Sequence, residues 1–364
     1  MINLKCTFLL SSLILCSTHS SAQQEKVDSL QFISEDIIIQ NNEEKIELGG
    51  TITYPNKSDM QYPAVILLSG SGPQDRNSEL AGHKPFLSIA NHLTERDIVV
   101  LRMDDRGVGE STGSKNVSFG NLLSDVNIML DYLKKQDFVD SDNIGLIGHS
   151  LGGIIAPMAA IDHPDKVNFI ITLAGPSITG KELMLLQKQT VETKMGIDEE
   201  TVKSGNKKIS GAYDLMLVET DISILREKLT TYFQDNYKDE IPEAFISTVI
   251  DQLTTPWFIE FIRSNPKKTI ENLNCPALFI YGDSDVQVPA KENSNSILEI
   301  AQHKNNIKAV TLAKHNHLFQ ISETGLPTEY ATIKEGISNE ALELITSWIL
   351  EITKTSAKYH SEKN

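Results

Sequence analysis

Thiols are scarce in this chain. Its 364 residues include three cysteines, Cys6, Cys16 and Cys275. The first two fall in a segment expected to be removed, which leaves Cys275 alone and excludes an intramolecular disulfide. Cys275 precedes Pro276 and an apolar strand pattern, so it reads as a small buried residue and not as a reactive thiol. Positive charge is also short: 33 Lys and Arg stand against 49 Asp and Glu, a formal net charge of −16. Such a surface repels phosphate backbones and argues against nucleic-acid binding. A bilayer-length apolar run is missing too, since residues 8–16 (FLLSSLILC) are too short to span a membrane. The glycine-rich stretch at Gly70 lacks the Gly-Lys-Ser/Thr ending of a P-loop. There is no internal repeat. With 40% hydrophobic and 23% charged residues, composition leaves an ordinary soluble globular protein.

The amino terminus carries more information. Lys5 supplies a positive charge, the apolar stretch follows, and Ser20-Ser21-Ala22 offers small residues before Gln23. That is the pattern of a secretory signal peptide over residues 1–22, which implies export to the periplasm or the medium with no stable membrane insertion after cleavage. A lipoprotein signal ending at Cys16 is the lesser alternative, because Leu15 is not the small residue it needs.

Beyond residue 36, strand and helix patterns alternate. Residues 36–40 and 45–54 read as an opening hairpin, with Gly49-Gly50 as a bulge. Strand patterns follow at 64–68 (AVILL), 98–102 (IVVLR), 144–147 (IGLI) and 167–173 (VNFIITL), with helical patterns at 85–96, 122–135 and 151–163 between them. Short apolar strands alternating with helices imply a parallel sheet covered on both faces. The rhythm stops at Gly175. Residues 176–266 are helix-like and charged, and read as an inserted cap that divides a core of 23–175 and 267–354. Strands at 277–281 (ALFIY) and 307–312, with helices near 290–303 and 339–354, complete the sheet, and a polar tail at 355–364 is expected to fray.

Three groups of residues suggest chemistry. Gly148-His149-Ser150-Leu151-Gly152 joins a strand to an Ala-rich helix, the setting in which a sharp turn exposes a serine hydroxyl. Serine needs a base to take its proton, and the base needs an acid to orient it. In the order Ser, acid, His, the acid is expected after the strand at 277–281 and the histidine after the strand at 307–312. Asp285 and Asp283 compete for the first role, and Asp283 suits a turn. His317 and His315 compete for the second. A tetrahedral oxyanion needs two donors. The backbone N–H of Leu151 would be one, and that of Ser71, with Gly72 next, the other.

The chain resembles the bacterial α/β-hydrolase acyl esterases over residues 36–354. The resemblance lies in LLSGSGPQDR from Leu67, DDRGVGES from Asp104, GHSLGG from Gly148, PWF from Pro256, YGDSDVQVP from Tyr281 and NHLFQ from Asn316. It implies the α/β-hydrolase fold, a mostly parallel eight-stranded sheet with helices on both faces and a helical cap insertion. It also implies a Ser150–Asp285–His317 triad, hydrolysis of short acyl esters, and no cofactor or metal. Asp75-Arg76 and Asp105-Arg106 would brace the loops near the site by ion pairing, and Trp257 and Phe258 would line an acyl pocket. A thioesterase, lipase or peptidase on the same fold is the nearest alternative, and a non-catalytic binding protein a more distant one.

Overall fold

The computed structural model describes residues 32–57, 60–238 and 240–361. The signal-peptide segment 1–22 lies outside the described residues, as do 362–364. By its internal contacts the chain divides into two compact units, each treated separately below.

The larger unit includes the described residues up to Lys115, then Gly120–Ile178 and the described residues from Pro266. It holds one eight-stranded sheet in the order β1-β2-β4-β3-β5-β6-β7-β8. The strands are β1 (Phe32–Asn41), β2 (Ile46–Pro55), β3 (Tyr62–Leu68), β4 (Val99–Met103), β5 (Val139–His149), β6 (Phe169–Leu173), β7 (Ala277–Gly282) and β8 (Ile307–Leu312). β1 and β2 run antiparallel, and β2 is antiparallel to β4. The other neighbours are parallel. Helices α1 (Pro85–Thr94), α2 (Phe119–Leu133) and α3 (Gly152–Asp162) belong to the crossovers of its first half. The central strands are continuous apolar runs because both faces are covered: Val65, Ile66, Leu101, Leu146, Ile171 and Phe279 are all fully buried. Each such side chain contributes about 1.5–3 kcal/mol by leaving water.

The expected elements are present, with shifted ends. β5 extends back to Val139 through the polar segment Asp140–Asn143, because Val139 pairs with Tyr62 at the start of β3. The Gly49-Gly50 bulge does not occur: the β1–β2 register runs unbroken, with Ile37 opposite Gly50 and Ile38 opposite Gly49. The glycines answer a close approach instead. A Cβ on Gly49 would lie 2.4 Å from Glu110 Cβ, and one on Gly50 2.1 Å from Met103 Sδ.

The smaller unit comprises Thr179–Asn265 with Asn116–Phe119. Its helices are α4 (Gly180–Lys194), α5 (Glu199–Val218), α6 (Ile222–Tyr237), α7 (Glu243–Leu253) and α8 (Pro256–Arg263). Start signals are plain. Thr179 and Glu182 form a capping box, and Asp198 and Asp221 cap α5 and α6. Leu225, Leu229, Phe233 and Tyr237 recur every four residues and form the buried face of α6, with the Phe233 and Tyr237 rings stacked at 4.8 Å. Back in the sheet-bearing unit, α9 (Pro266–Glu271) and α10 (Ala290–Ala301) flank β7 in the chain. The final helix α11 (Asn339–Ser361) continues past Lys354 into the tail expected to fray. Residues 355–361 contain no Pro or Gly to stop it.

Sheet order positions the site. From β3 the chain moves to β4 on one side, then returns to β5 on the other. The loops after β3 and β5 therefore part company at adjacent strand ends, the switch point where open α/β sheets form their crevice.

Candidate active site

β5 ends at His149 and α3 begins at Gly152, so the turn between them is very tight. A Cβ on Gly148 would lie 2.0 Å from the Gly152 carbonyl oxygen, and one on Gly152 2.3 Å from that of Leu68. No larger residue fits either place. Ser150 stands at φ 52°, a left-handed conformation that costs a non-glycine residue about 1–2 kcal/mol. Its N–H donates to the Leu173 carbonyl at 2.9 Å, and its carbonyl accepts from Gly153 N–H at 2.9 Å. The strained residue is thus held by β6 on one side and by the first turn of α3 on the other. Gly70, in the loop after β3, lies against this turn: a Cβ there would be 3.3 Å from Ser150 Cβ.

The acid and histidine arrive from the next strand ends. The Asp285 side chain is fully buried. Its Oδ1 accepts from the N–H groups of Gln287 at 2.7 Å and Val288 at 2.9 Å. Its Oδ2 meets His317 Nδ1 at 2.7 Å. Asp283 is exposed and does the work of a turn residue, accepting from Lys314 N–H and from Ser284 Oγ–H. His315 is fully buried and spent on structure, with Nδ1 at 2.8 Å from the Ala313 carbonyl and Nε2 at 2.6 Å from Ser338 Oγ. Asn316 folds the segment around His317: its Oδ1 accepts from Leu318 and Gln320 N–H, and its Nδ2–H donates to Gln320 Oε1. This accounts for the Asn-His-Leu-Phe-Gln string.

His149 ties the turn at Ser150 to the His317 loop. The two imidazole rings lie 4.8 Å apart, and His149 Nε2 is 2.9 Å from the His317 carbonyl oxygen. A carbonyl can only accept, so the proton of neutral His149 sits on Nε2. Nothing in the sequence marks this contact, which spans 168 positions. Burial, then repulsion from His317, pulls the His149 pKa down to about 4. The unfolded chain binds that proton near 6.5, whereas the folded chain does not until about 4. Stability is therefore fully present above about pH 6.5 and falls as pH drops toward 4, by at most on the order of 3 kcal/mol. The unfolding temperature measured across this range should drop more steeply for the native chain than for His149→Gln, and parallel curves would contradict the shift.

The Asp104–Ser111 string forms the turn after β4. Arg76 and Arg106 do ion-pair, but not with their sequence neighbours. Arg76 Nη2 meets Asp104 Oδ2 at 2.7 Å, its Nε meets Asp104 Oδ1 at 3.1 Å, and its Nη1 reaches Asp36 at 3.0 Å. Arg106 grips both oxygens of Asp125 at 2.6 and 2.7 Å and also holds Glu44. Adjacent side chains in a turn diverge, so the partners come from other elements. Asp75 instead accepts from Glu79 N–H at 2.8 Å. Asp105 faces the loop after β3, accepting from Ser69 Oγ–H and from Gln74 N–H.

Ser71 is an exposed residue of that loop, and Leu151 is buried at the start of α3. Among the described residues neither backbone N–H has a protein acceptor. Trp257 and Phe258 belong to the helical unit. Phe258 is 1% exposed and packs within that unit against Tyr213 and Phe261, which gives it a core role there; Trp257 is half-buried beside it. Burial pushes the Cys275 thiol up to about 11, which fits an unreactive residue.

A mostly parallel eight-stranded sheet, with a strained serine between β5 and its following helix and the acid and histidine after β7 and β8, makes this protein an α/β hydrolase. The chain belongs to the serine aminopeptidase S33 family, whose model matches residues 83–321. It is 26% identical over 329 residues to the esterase EstD of Thermotoga maritima, which covers 89% of this chain and 69% of that protein. Among solved structures, an esterase of Pyrococcus furiosus shares the fold with a TM-score of 0.53 at 17% identity, covering 94% of this chain and 98% of that one. The α/β hydrolase GrgF of a Penicillium species gives a TM-score of 0.50 at 18% identity, with 79% and 91% covered.

Proposed function

We propose that the chain is a serine carboxylesterase that hydrolyses short-chain acyl esters, with Ser150 as nucleophile, His317 as base and Asp285 as its orienting acid. The observation that carries this reading is the Asp285–His317 pair, bonded at 2.7 Å, joined through His149 to the turn that holds Ser150 at φ 52°. Similarity to a protein named as an esterase, across 89% of this chain, supports the substrate class. The chemistry rests on the sheet-bearing unit alone. Export, to the periplasm or the medium, is read from the signal pattern of residues 1–22.

In the proposed reaction Asp285 keeps the proton of His317 on Nδ1, leaving Nε2 to accept one. Ser150 Oγ attacks the ester carbonyl carbon as its proton passes to Nε2, and the carbonyl electron pair moves to oxygen. The backbone N–H groups of Leu151 and Ser71 donate to that oxyanion. As the intermediate collapses, the alkoxy group leaves with the proton from Nε2, and the acyl group stays on Ser150. Water then attacks, giving its proton to His317. In the second collapse the bond to Ser150 Oγ breaks, Oγ takes the proton back from His317 Nε2, and the carboxylic acid is released.

Fold does not separate ester, thioester and peptide substrates, so a substrate panel tests the class. Against p-nitrophenyl acetate, butyrate and decanoate, an acyl-CoA and aminoacyl p-nitroanilides, the short esters should lead in kcat/KM by about tenfold or more. Preference for an aminoacyl anilide would replace this reading with the peptidase activity that the family's description names.

A further inference from the structure

We propose that Asp105 is a positioning residue of this site: its carboxylate clamps both ends of the loop 69–74 and so fixes the backbone that supplies the second oxyanion donor. The proposal rests on the esterase reading above. Ser69 follows directly on β3, and Gln74 closes the loop. Asp105 Oδ1 accepts from Ser69 Oγ–H at 2.7 Å and Oδ2 from Gln74 N–H at 2.8 Å. Asp105 N–H returns a bond to the Gln74 carbonyl at 3.0 Å. Three hydrogen bonds from one residue thus span the Gly70-Ser71-Gly72-Pro73 segment.

That segment has little to hold itself. Gly70 and Gly72 carry the largest backbone entropy of any residue type. Gly72 stands at φ 87°, and a Cβ there would touch nothing within 4 Å. Inside the loop the support is one bond from Gln74 Nε2–H to the Ser71 carbonyl at 3.3 Å, with Ser78 Oγ–H bonded to the other end of the Gln74 amide. Yet the loop must be well placed, because Gly70 packs against Ser150 Cβ and an oxyanion donor works only at hydrogen-bond distance. The flanking residues of the motif look elsewhere, Asp104 to Arg76 and Arg106 to Asp125 and Glu44. Asp105 is the one whose side chain reaches the loop.

The clamp works through hydrogen bonds and does not require charge. Burial pushes the Asp105 carboxyl up to about 7, against the pull of Ser69 and Gln74. A pocket that raises the pKa this far does not reward a bare negative charge. A neutral isostere should therefore serve. In Asp105→Asn the new side-chain oxygen can accept from Gln74 N–H while its amide donates to Ser69 Oγ, since a hydroxyl can also accept.

The test is steady-state kinetics on a short p-nitrophenyl ester with Asp105→Ala, Asp105→Asn and Ser69→Ala, beside the native chain and Ser150→Ala, each checked for its unfolding temperature. Asp105→Ala should lower kcat about 100-fold with KM changed less than about threefold, because the missing donor matters chiefly in the transition state. Asp105→Asn should stay within about threefold of the native kcat, and Ser69→Ala, which removes one bond of the clamp and stands in if Asp105→Ala fails to fold, should lose about tenfold. Native kcat in both Asp105→Ala and Ser69→Ala, a loss confined to KM, or Asp105→Asn as slow as Asp105→Ala would overturn the role while leaving the esterase reading intact. A native chain that turns over no acyl ester would overturn both.

Discussion

Ser150→Ala should lower kcat on a short acyl ester by about 10⁴-fold or more, with little change in unfolding temperature. The alanine keeps the β-carbon, so the packing of Gly70 against it and the backbone bonds to Leu173 and Gly153 are preserved. What disappears is the hydroxyl oxygen proposed to carry the acyl group. Residual activity would come from binding and oxyanion donors acting on water. Stopped turnover in a chain that unfolds at the native temperature would separate loss of chemistry from loss of structure.

Asp285→Asn is the second large effect, with an expected fall in kcat of about 10⁴-fold. The reason is local. Two backbone N–H groups, those of Gln287 and Val288, point at Oδ1. An amide at this place must keep its oxygen there, because an NH₂ would face two donors. The NH₂ is then aimed at His317 Nδ1, which must accept. That forces the imidazole proton onto Nε2, the nitrogen proposed to receive the serine proton. The side chain keeps its size and its buried bonds, so unfolding measured by heat should change little while turnover collapses. Activity near native would place the acid elsewhere.

Much of this architecture is legible in the sequence, and the exceptions have physical causes. β7 is a continuous apolar run, buried along its whole length, so its extent follows directly from side-chain character. The start of β5 is hidden because Asp140–Asn143 is polar, and only pairing with β3 makes a strand of it. Gly49-Gly50 suggests a bulge, yet these glycines answer Glu110 and Met103, residues more than fifty positions away. Among the site residues, Asp285 and His317 could be narrowed to pairs by strand order, but the choice of His317 over His315 depends on which ring faces the acid. The contacts of His149 with the His317 carbonyl and of Asp105 with Ser69 and Gln74 have no local signature. They exist because the sheet brings distant strand ends together. The pairing of Arg106 with Asp125 and Glu44 in place of Asp105 has the same origin.

The most direct test of the central claim is labelling of the protein with a fluorophosphonate probe, followed by peptide mapping of the adduct. Phosphonylation of Ser150 that is lost in Ser150→Ala and slowed by at least about 100-fold in His317→Ala is the result expected of a serine activated by His317. Labelling of a different serine, or equal labelling of the native chain and Ser150→Ala, would contradict it.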